Sequence, residues 1–314
     1  MALLDPAPEP PVELPPARTV HVRGRGEFFL RDSGLLRGDG GGHVAATGGP
    51  PDEVTPADGP TVMLLHGWIA TADLNWAGVY GDLIEAGYRV LAIDHRGHGR
   101  GLRPLVPFRL DDCAADAAGV LRTLELAPAL IVGYSMGGAI AQLIARDHPD
   151  VVAGLVLSAT AQHWQEPELH RTWRMMGAVG FGLAMAPGRT WRYGFDRVGL
   201  SGSPLVAWLR SEALRHSARD IAEAGRELGR FDSRPWLRPL PVPSAVAVTT
   251  RDTAVPPAKQ YELAAALAAP VFEAPIQHLQ ITTAPSAYNP VLLQALTAVS
   301  AGPVRPAGPV GFAS

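Results

Sequence analysis

The chain has a single cysteine, Cys113, which excludes an internal disulfide and offers no thiolate cluster for a structural zinc. In its helix-like surroundings Cys113 reads as a small buried apolar residue. There is no block of basic residues. Lys and Arg number 27 against 30 Asp and Glu, for a net charge of −3, so no nucleic-acid partner is expected. No uncharged run approaches the length of a membrane span, and none is expected. The first residues, Met1-Ala2-Leu3-Leu4-Asp5-Pro6, lack a basic segment followed by a long apolar one, so no secretory signal is visible. The expectation is a soluble, cytoplasmic protein. No internal repeat is found. No glycine-rich dinucleotide or phosphate loop is present either: Gly133 to Gly138 is too compact, and no Lys-Ser/Thr pair follows it. What the chain does have is size. Its 314 residues are 47% hydrophobic, enough for a substantial core in one large domain or two modest ones.

One stretch organises the rest. The apolar run Leu130-Ile131-Val132 leads into Gly133-Tyr134-Ser135-Met136-Gly137-Gly138, and a helix-like run, Ala139 to Arg146, leads out. Gly-x-Ser-x-Gly between a strand and a helix is the nucleophile-elbow pattern. A strand turning sharply into a helix strains the serine backbone, and Gly133 and Gly137 let neighbouring chain pass close by. Ser135 then stands at a helix start, where backbone N–H groups face developing negative charge. A plain small-residue turn would also fit the five residues; the strand before and helix after favour the elbow.

In chain order, residues 1–17 are proline-rich and read as a disordered tail. Arg18–Arg23 alternates as a half-buried strand does, and Glu27–Arg31 follows as a second strand. Gly34–Pro60, dense in glycine and proline, reads as a long surface loop. Thr61–Leu65 and Tyr88–Ile93 are apolar runs of the kind found in buried strands, separated by a helix over Trp76–Ala86. A helix is expected over 110–126, then the elbow strand and its helix, stopped by Pro149, then a strand over Val152–Ser158. Residues 161–237 break this rhythm: they are helical in character, rich in Trp and Met, and read as an inserted helical cap. Alternation resumes with a strand at Ser244–Thr250, a helix over Ala258–Leu267, a strand at Val271–Glu273 and a last helix over 290–299. Residues 301–314 read as a loose tail. Strands alternating with helices predict an α/β fold with a mostly parallel sheet, helices on both faces, a core of residues 18–160 and 238–300, and the cap between.

A serine hydroxyl needs a base to take its proton and a third group to hold that base. In this architecture the chain order is Ser, acid, His. Of ten histidines only His278 follows every candidate strand-end acid. Asp252 immediately follows an apolar strand, and catalytic groups gather at the carboxyl ends of parallel strands; it would also suit a turn. Asp147, Asp150 and Glu273 are less well placed. For the oxyanion, the expected donors are the backbone N–H groups of Met136 and Trp68. His66 is expected to brace the Trp68 loop. Asp94, His95 and His98 could suggest a metal site, but their spacing better fits a loop rigidified by glycines, and no metal is expected. The run Arg174 to Ala186 carries one charge, at its first position. Its residues Met176 and Phe181 are expected to line an apolar acyl pocket, packing of the cap onto the core being the alternative.

His66-Gly67-Trp68, Asp94-His95-Arg96-Gly97-His98-Gly99, Gly133 to Gly138, Arg251-Asp252 and His278 together resemble the α/β-hydrolase superfamily, over nearly all of residues 18–300. The resemblance implies an eight-stranded sheet, a Ser135–Asp252–His278 triad, a cap inserted after the sixth strand, and no cofactor. Ser135 stands where epoxide hydrolases and haloalkane dehalogenases of this superfamily carry Asp, which argues against both. His278 is followed by Leu279-Gln280, a more apolar setting than in some relatives. The expected activity is hydrolysis of small carboxylic esters with an apolar acyl group. Acyl transfer, thioester or carbon–carbon bond hydrolysis with the same triad, and ligand binding without catalysis, are the alternatives. The sequence leaves the oligomeric state open.

Overall fold

A computed structural model describes residues 10–35, 59–197 and 204–300. Most of the tail expected over 1–17, nearly all of the loop at Gly34–Pro60 and the tail at 301–314 lie outside the described residues. The chain runs β1 (Ala17–Val22), β2 (Gly26–Asp32), β3 (Thr61–Leu65), α1 (Ala72–Glu85), β4 (Arg89–Ile93), α2 (Leu110–Thr123), β5 (Ala129–Tyr134), α3 (Met136–Asp147) and β6 (Val152–Ser158). Five helices follow: α4 (Pro167–Arg174), α5 (Met176–Met185), α6 (Pro187–Arg197), α7 (Pro204–Ala213) and α8 (Ala218–Arg230). The chain closes with β7 (Ser244–Thr249), α9 (Pro257–Leu267), β8 (Val271–Ala274), α10 (Gln280–Thr283) and α11 (Pro285–Ser300).

The strands form one eight-stranded sheet in the order β1-β2-β4-β3-β5-β6-β7-β8. The β1–β2 and β2–β4 pairs are antiparallel, and every other pair is parallel. The central strands are apolar throughout because both faces of the sheet are covered. Alternate residues feed different layers: Met63, Leu65 and Ile131 join α2 and α3 on one face, whereas Val62, Leu64, Leu130 and Val132 meet α1 and α11 on the other. All six residues of β5 are buried, so the elbow rises from the centre of the molecule.

Three helices depart from the sequence reading. The first begins at Ala72, not Trp76, because Thr71 caps it: its Oγ1 accepts the Leu74 N–H at 3.0 Å. The last begins at Pro285, not at residue 290, and carries Pro290 inside it. The short helix α10, directly after His278, had no periodic pattern to announce it.

Candidate active site

Four strand ends and their following loops bring the site together. At the end of β5, Ser135 sits at φ 56°, ψ −118°, a strained conformation for a residue with a side chain. Its neighbours impose it. The Ser135 N–H donates to Ser158 O at 3.0 Å, and Thr160 Oγ1 donates to Ser135 O at 2.8 Å. The two glycines are dictated by close backbone: a Cβ on Gly133 would lie 2.3 Å from Gly137 O, and one on Gly137 would lie 2.0 Å from Leu65 O.

Asp252, 3% exposed, follows β7. Its Oδ1 accepts the Ala254 and Val255 backbone N–H groups, each at 2.8 Å. Its Oδ2 accepts Thr249 Oγ1 at 2.8 Å and lies 2.6 Å from His278 Nδ1. His278 Nε2 lies 3.0 Å from Ser135 Oγ. With the carboxylate able only to accept, Nδ1 carries the hydrogen and Nε2 is free to accept from the serine. The loop carrying His278 is held from below, where the Tyr134 hydroxyl donates to His278 O at 2.7 Å. The three residues singled out from the sequence are therefore brought into one hydrogen-bonded chain. Asp147 is elsewhere, on the surface with Arg146 at 2.7 Å.

The loop after β3 is fixed by histidines. His66 Nε2 accepts the His95 N–H at 3.0 Å, so Nδ1 carries the hydrogen and donates to Gly67 O at 2.8 Å. At the loop's other end, His216 Nδ1 accepts the Gly99 N–H at 3.0 Å and Nε2 donates to Ile69 O at 3.2 Å. Trp68 lies between these two anchors, and its indole N–H donates to Ile221 O of α8 at 2.9 Å. Gly67 touches the elbow: a Cβ there would lie 3.2 Å from Ser135 Cβ. Met136 opens α3, and the first N–H groups of a helix have no intrahelical acceptor.

Asp94, His95 and His98 are buried; His98 Nδ1 donates to Arg96 O at 3.0 Å, while Nε2 of His95 and of His98 meets no hydrogen-bond partner among the described residues. Asp94 accepts the Ala72 and Arg100 N–H groups, each at 2.7 Å. Among the described residues no group of three or more His, Cys, Asp or Glu is arranged to hold a metal ion. His66 lies 4.3 Å from His95 and 5.3 Å from His98, ring centre to ring centre, and His98 lies 5.5 Å from His216. Burial pushes all four down, helped by neighbouring histidines at His66, His95 and His98 and by Arg103 at His216; His95 and His216 fall to about 3. Burial has the opposite effect on Asp94, pushing it up to about 6.

These shifts set a pH dependence. Below the ordinary histidine value of about 6.5 the unfolded chain takes up protons at His66, His95, His98 and His216 that the folded chain refuses, so stability falls with pH. Asp94 has the opposite sign, gaining stability as pH falls from about 6, and offsets about one of the four histidines. The expected result is a loss of several kcal/mol, roughly one per histidine, between about pH 7 and about pH 5.5. Urea unfolding at stepped pH checks it; a flat profile over that range would contradict it.

Two cavities meet at Ser135 and His278. One, of about 300 Å³, is walled by Leu74, Trp191, Leu209, Leu279 and Ile281. The other, of about 750 Å³, is walled by Trp68, Trp164, Leu169, Trp173, Leu228 and Val255. No Asp, Glu, Lys or Arg lines either one among the described residues. The pocket residues expected from sequence are placed differently. Phe181 is 68% exposed and lines neither cavity. Met176 is buried, but a Cβ on Gly225 of α8 would lie 2.6 Å from its Sδ: it packs helix on helix and lines neither cavity. The walls come instead from Trp173, Trp191 and Leu209, whose inward direction depends on how α4, α6 and α7 pack.

Comparison with known proteins agrees with this architecture. A family model described as alpha/beta hydrolase fold matches residues 60–181. A non-heme chloroperoxidase of Streptomyces lividans is 32% identical over 257 residues, covering 76% of this chain and 92% of that protein. A bifunctional esterase/perhydrolase of Acinetobacter calcoaceticus is 37% identical over 103 residues, 32% of this chain and 37% of that protein. Among solved structures, a thermophilic esterase from Thermogutta terrifontis superposes with a TM-score of 0.69 at 23% identity, over 91% of this chain and 99% of that one.

Proposed function

The chain belongs to the alpha/beta-hydrolase superfamily, and within it we propose that it is a serine hydrolase cleaving small, uncharged carboxylic esters. The observation that carries this reading is the hydrogen-bonded chain from Asp252 through His278 to Ser135, at 2.6 and 3.0 Å. His278 Nε2 takes the Ser135 proton as Oγ attacks the ester carbonyl, then returns it to the leaving alcohol. Asp252 holds the imidazole in the Nδ1–H tautomer and stabilises the imidazolium. The Trp68 and Met136 N–H groups meet the oxyanion. Water then releases the acid from the acyl-enzyme. Residues 161–237 act as a cap over this chemistry, and the absence of charged side chains among the described residues lining both cavities favours an apolar acyl group.

Labelling with a fluorophosphonate should attach one probe, at Ser135, and a p-nitrophenyl ester series measures the pocket. With the acyl chain in the smaller cavity, kcat/KM should climb about fourfold per methylene, the equivalent of about 0.8 kcal/mol each, until the cavity is full. Leu209→Trp fills that cavity and should flatten the climb while sparing acetate esters. An unchanged climb would move the acyl chain elsewhere.

A second reading is favoured by the chloroperoxidase and esterase/perhydrolase relatives. Hydrogen peroxide in place of water would attack the same acyl-enzyme, giving a peracid and free Ser135. Measuring peracid formed from the same esters with added peroxide separates the two acceptors.

A further inference from the structure

The charge-poor helix α5 is not buried. Its residues Met176 and Gly180 face α8: a Cβ on Gly225 would lie 2.6 Å from Met176 Sδ and a Cβ on Gly180 2.9 Å from Ala222 Cβ; Leu183, on the same stripe, is 6% exposed and Met176 2%. The opposite stripe, Ala178, Phe181 and Met185, faces outward. Phe181 is 68% and Met185 69% exposed, and Met175, just before α5, and Tyr193, on the following helix α6, are 55% and 63% exposed. A helix apolar on every side is normally enclosed by protein or lipid, and clustered exposed apolar side chains mark an interaction site. Charge indicates which kind. From Leu169 to Gly194 there is no Asp or Glu, while Arg171, Arg174, Arg189 and Arg192 flank the apolar helix, all four exposed. The whole chain is net negative at −3, so this local excess of positive charge runs against its average. At 10 residues α5 is too short to cross a bilayer, and no described helix is long and apolar enough to do so.

We propose that the outer face of α5, with the arginines beside it, docks on an anionic lipid surface. Phe181 and Met185 enter the headgroup–acyl boundary, and the arginines pair with lipid phosphates. The surface is separate from the catalytic residues, although α4 and α8 also wall the larger cavity through Trp173 and Leu228.

Vesicle co-sedimentation of the full chain tests this without reference to its activity. Wild type should bind mixed phosphatidylcholine–phosphatidylglycerol vesicles, bind pure phosphatidylcholine much more weakly, and be released by salt. Arg189→Gln with Arg192→Gln should weaken binding about thirtyfold, about fivefold for each charge. Phe181→Ser with Met185→Ser should weaken it about tenfold or more. Arg122→Gln, which removes an exposed arginine elsewhere, should leave binding unchanged. Thermal melts of all variants should match wild type; for any variant that melts early, the lipid and salt dependence of wild type remains the deciding measurement. Absence of wild-type binding to the mixed vesicles would overturn the proposal, as would equal loss on Arg122→Gln. A dimer that forms with concentration and is abolished by Phe181→Ser with Met185→Ser, in a protein that ignores vesicles, would assign the face to a second copy instead.

Discussion

Ser135→Ala is expected to lower ester turnover about 10⁶-fold, the typical cost of removing a triad nucleophile. No other group lies where Ser135 Oγ does, 3.0 Å from His278 Nε2 on a backbone that two hydrogen bonds and two glycine contacts hold in place. Alanine retains the Cβ that the φ 56° backbone already accommodates, so the fold should persist with an unchanged melting temperature. Fluorophosphonate labelling should vanish with turnover. A variant retaining even about a tenth of the activity, against the loss expected for a nucleophile, would exclude Ser135 from that role.

The second largest effect belongs to Asp252→Asn, expected to slow turnover about 10⁴-fold through the wrong histidine tautomer. The surroundings decide which way the amide points. Ala254 and Val255 both present N–H groups to Oδ1 at 2.8 Å, so the asparagine oxygen must stay there and its NH₂ must take the Oδ2 position. That NH₂ then donates to His278 Nδ1, which drives the ring hydrogen to Nε2, facing Ser135. The base is lost though every atom stays in place. Asp147→Asn, on the surface beside Arg146, should do little. Turnover and urea unfolding of both variants check this; the reverse ranking would remove Asp252 from the proposed triad.

Much of the central fold was legible because local chemistry writes it. Buried parallel strands such as Ala129–Tyr134 must be apolar on both faces, and the elbow glycines are forced by a carbonyl that would stand 2.0 Å from a Cβ on Gly137. His278 and Asp252 followed from chain order and from the rule that catalytic groups collect at strand ends. Boundaries failed where a single hydrogen bond sets them, as with Thr71 ahead of α1, or where a helix runs through a proline, as α11 does at Pro290.

The histidine scaffold beneath the Trp68 loop was invisible as a unit. His66 was expected to brace that loop, but nothing in the spacing of His66, His95, His98 and His216 announces that their rings pack together at tilted and edge-on angles or that His216 holds Ile69 O from 147 residues away. The sequence by itself determined the strand–helix order, the elbow and the order of Ser135, Asp252 and His278, because each depends on residues close in the chain or on a strand end. Only the tertiary structure decided the cavity walls and the exposed face of α5. An apolar run such as Met176 to Met185 records that water is disfavoured along it; which side meets protein depends on the helix set against it, and here Gly225 and Ala222 of α8 admit Met176 and Gly180 and leave Phe181 outside.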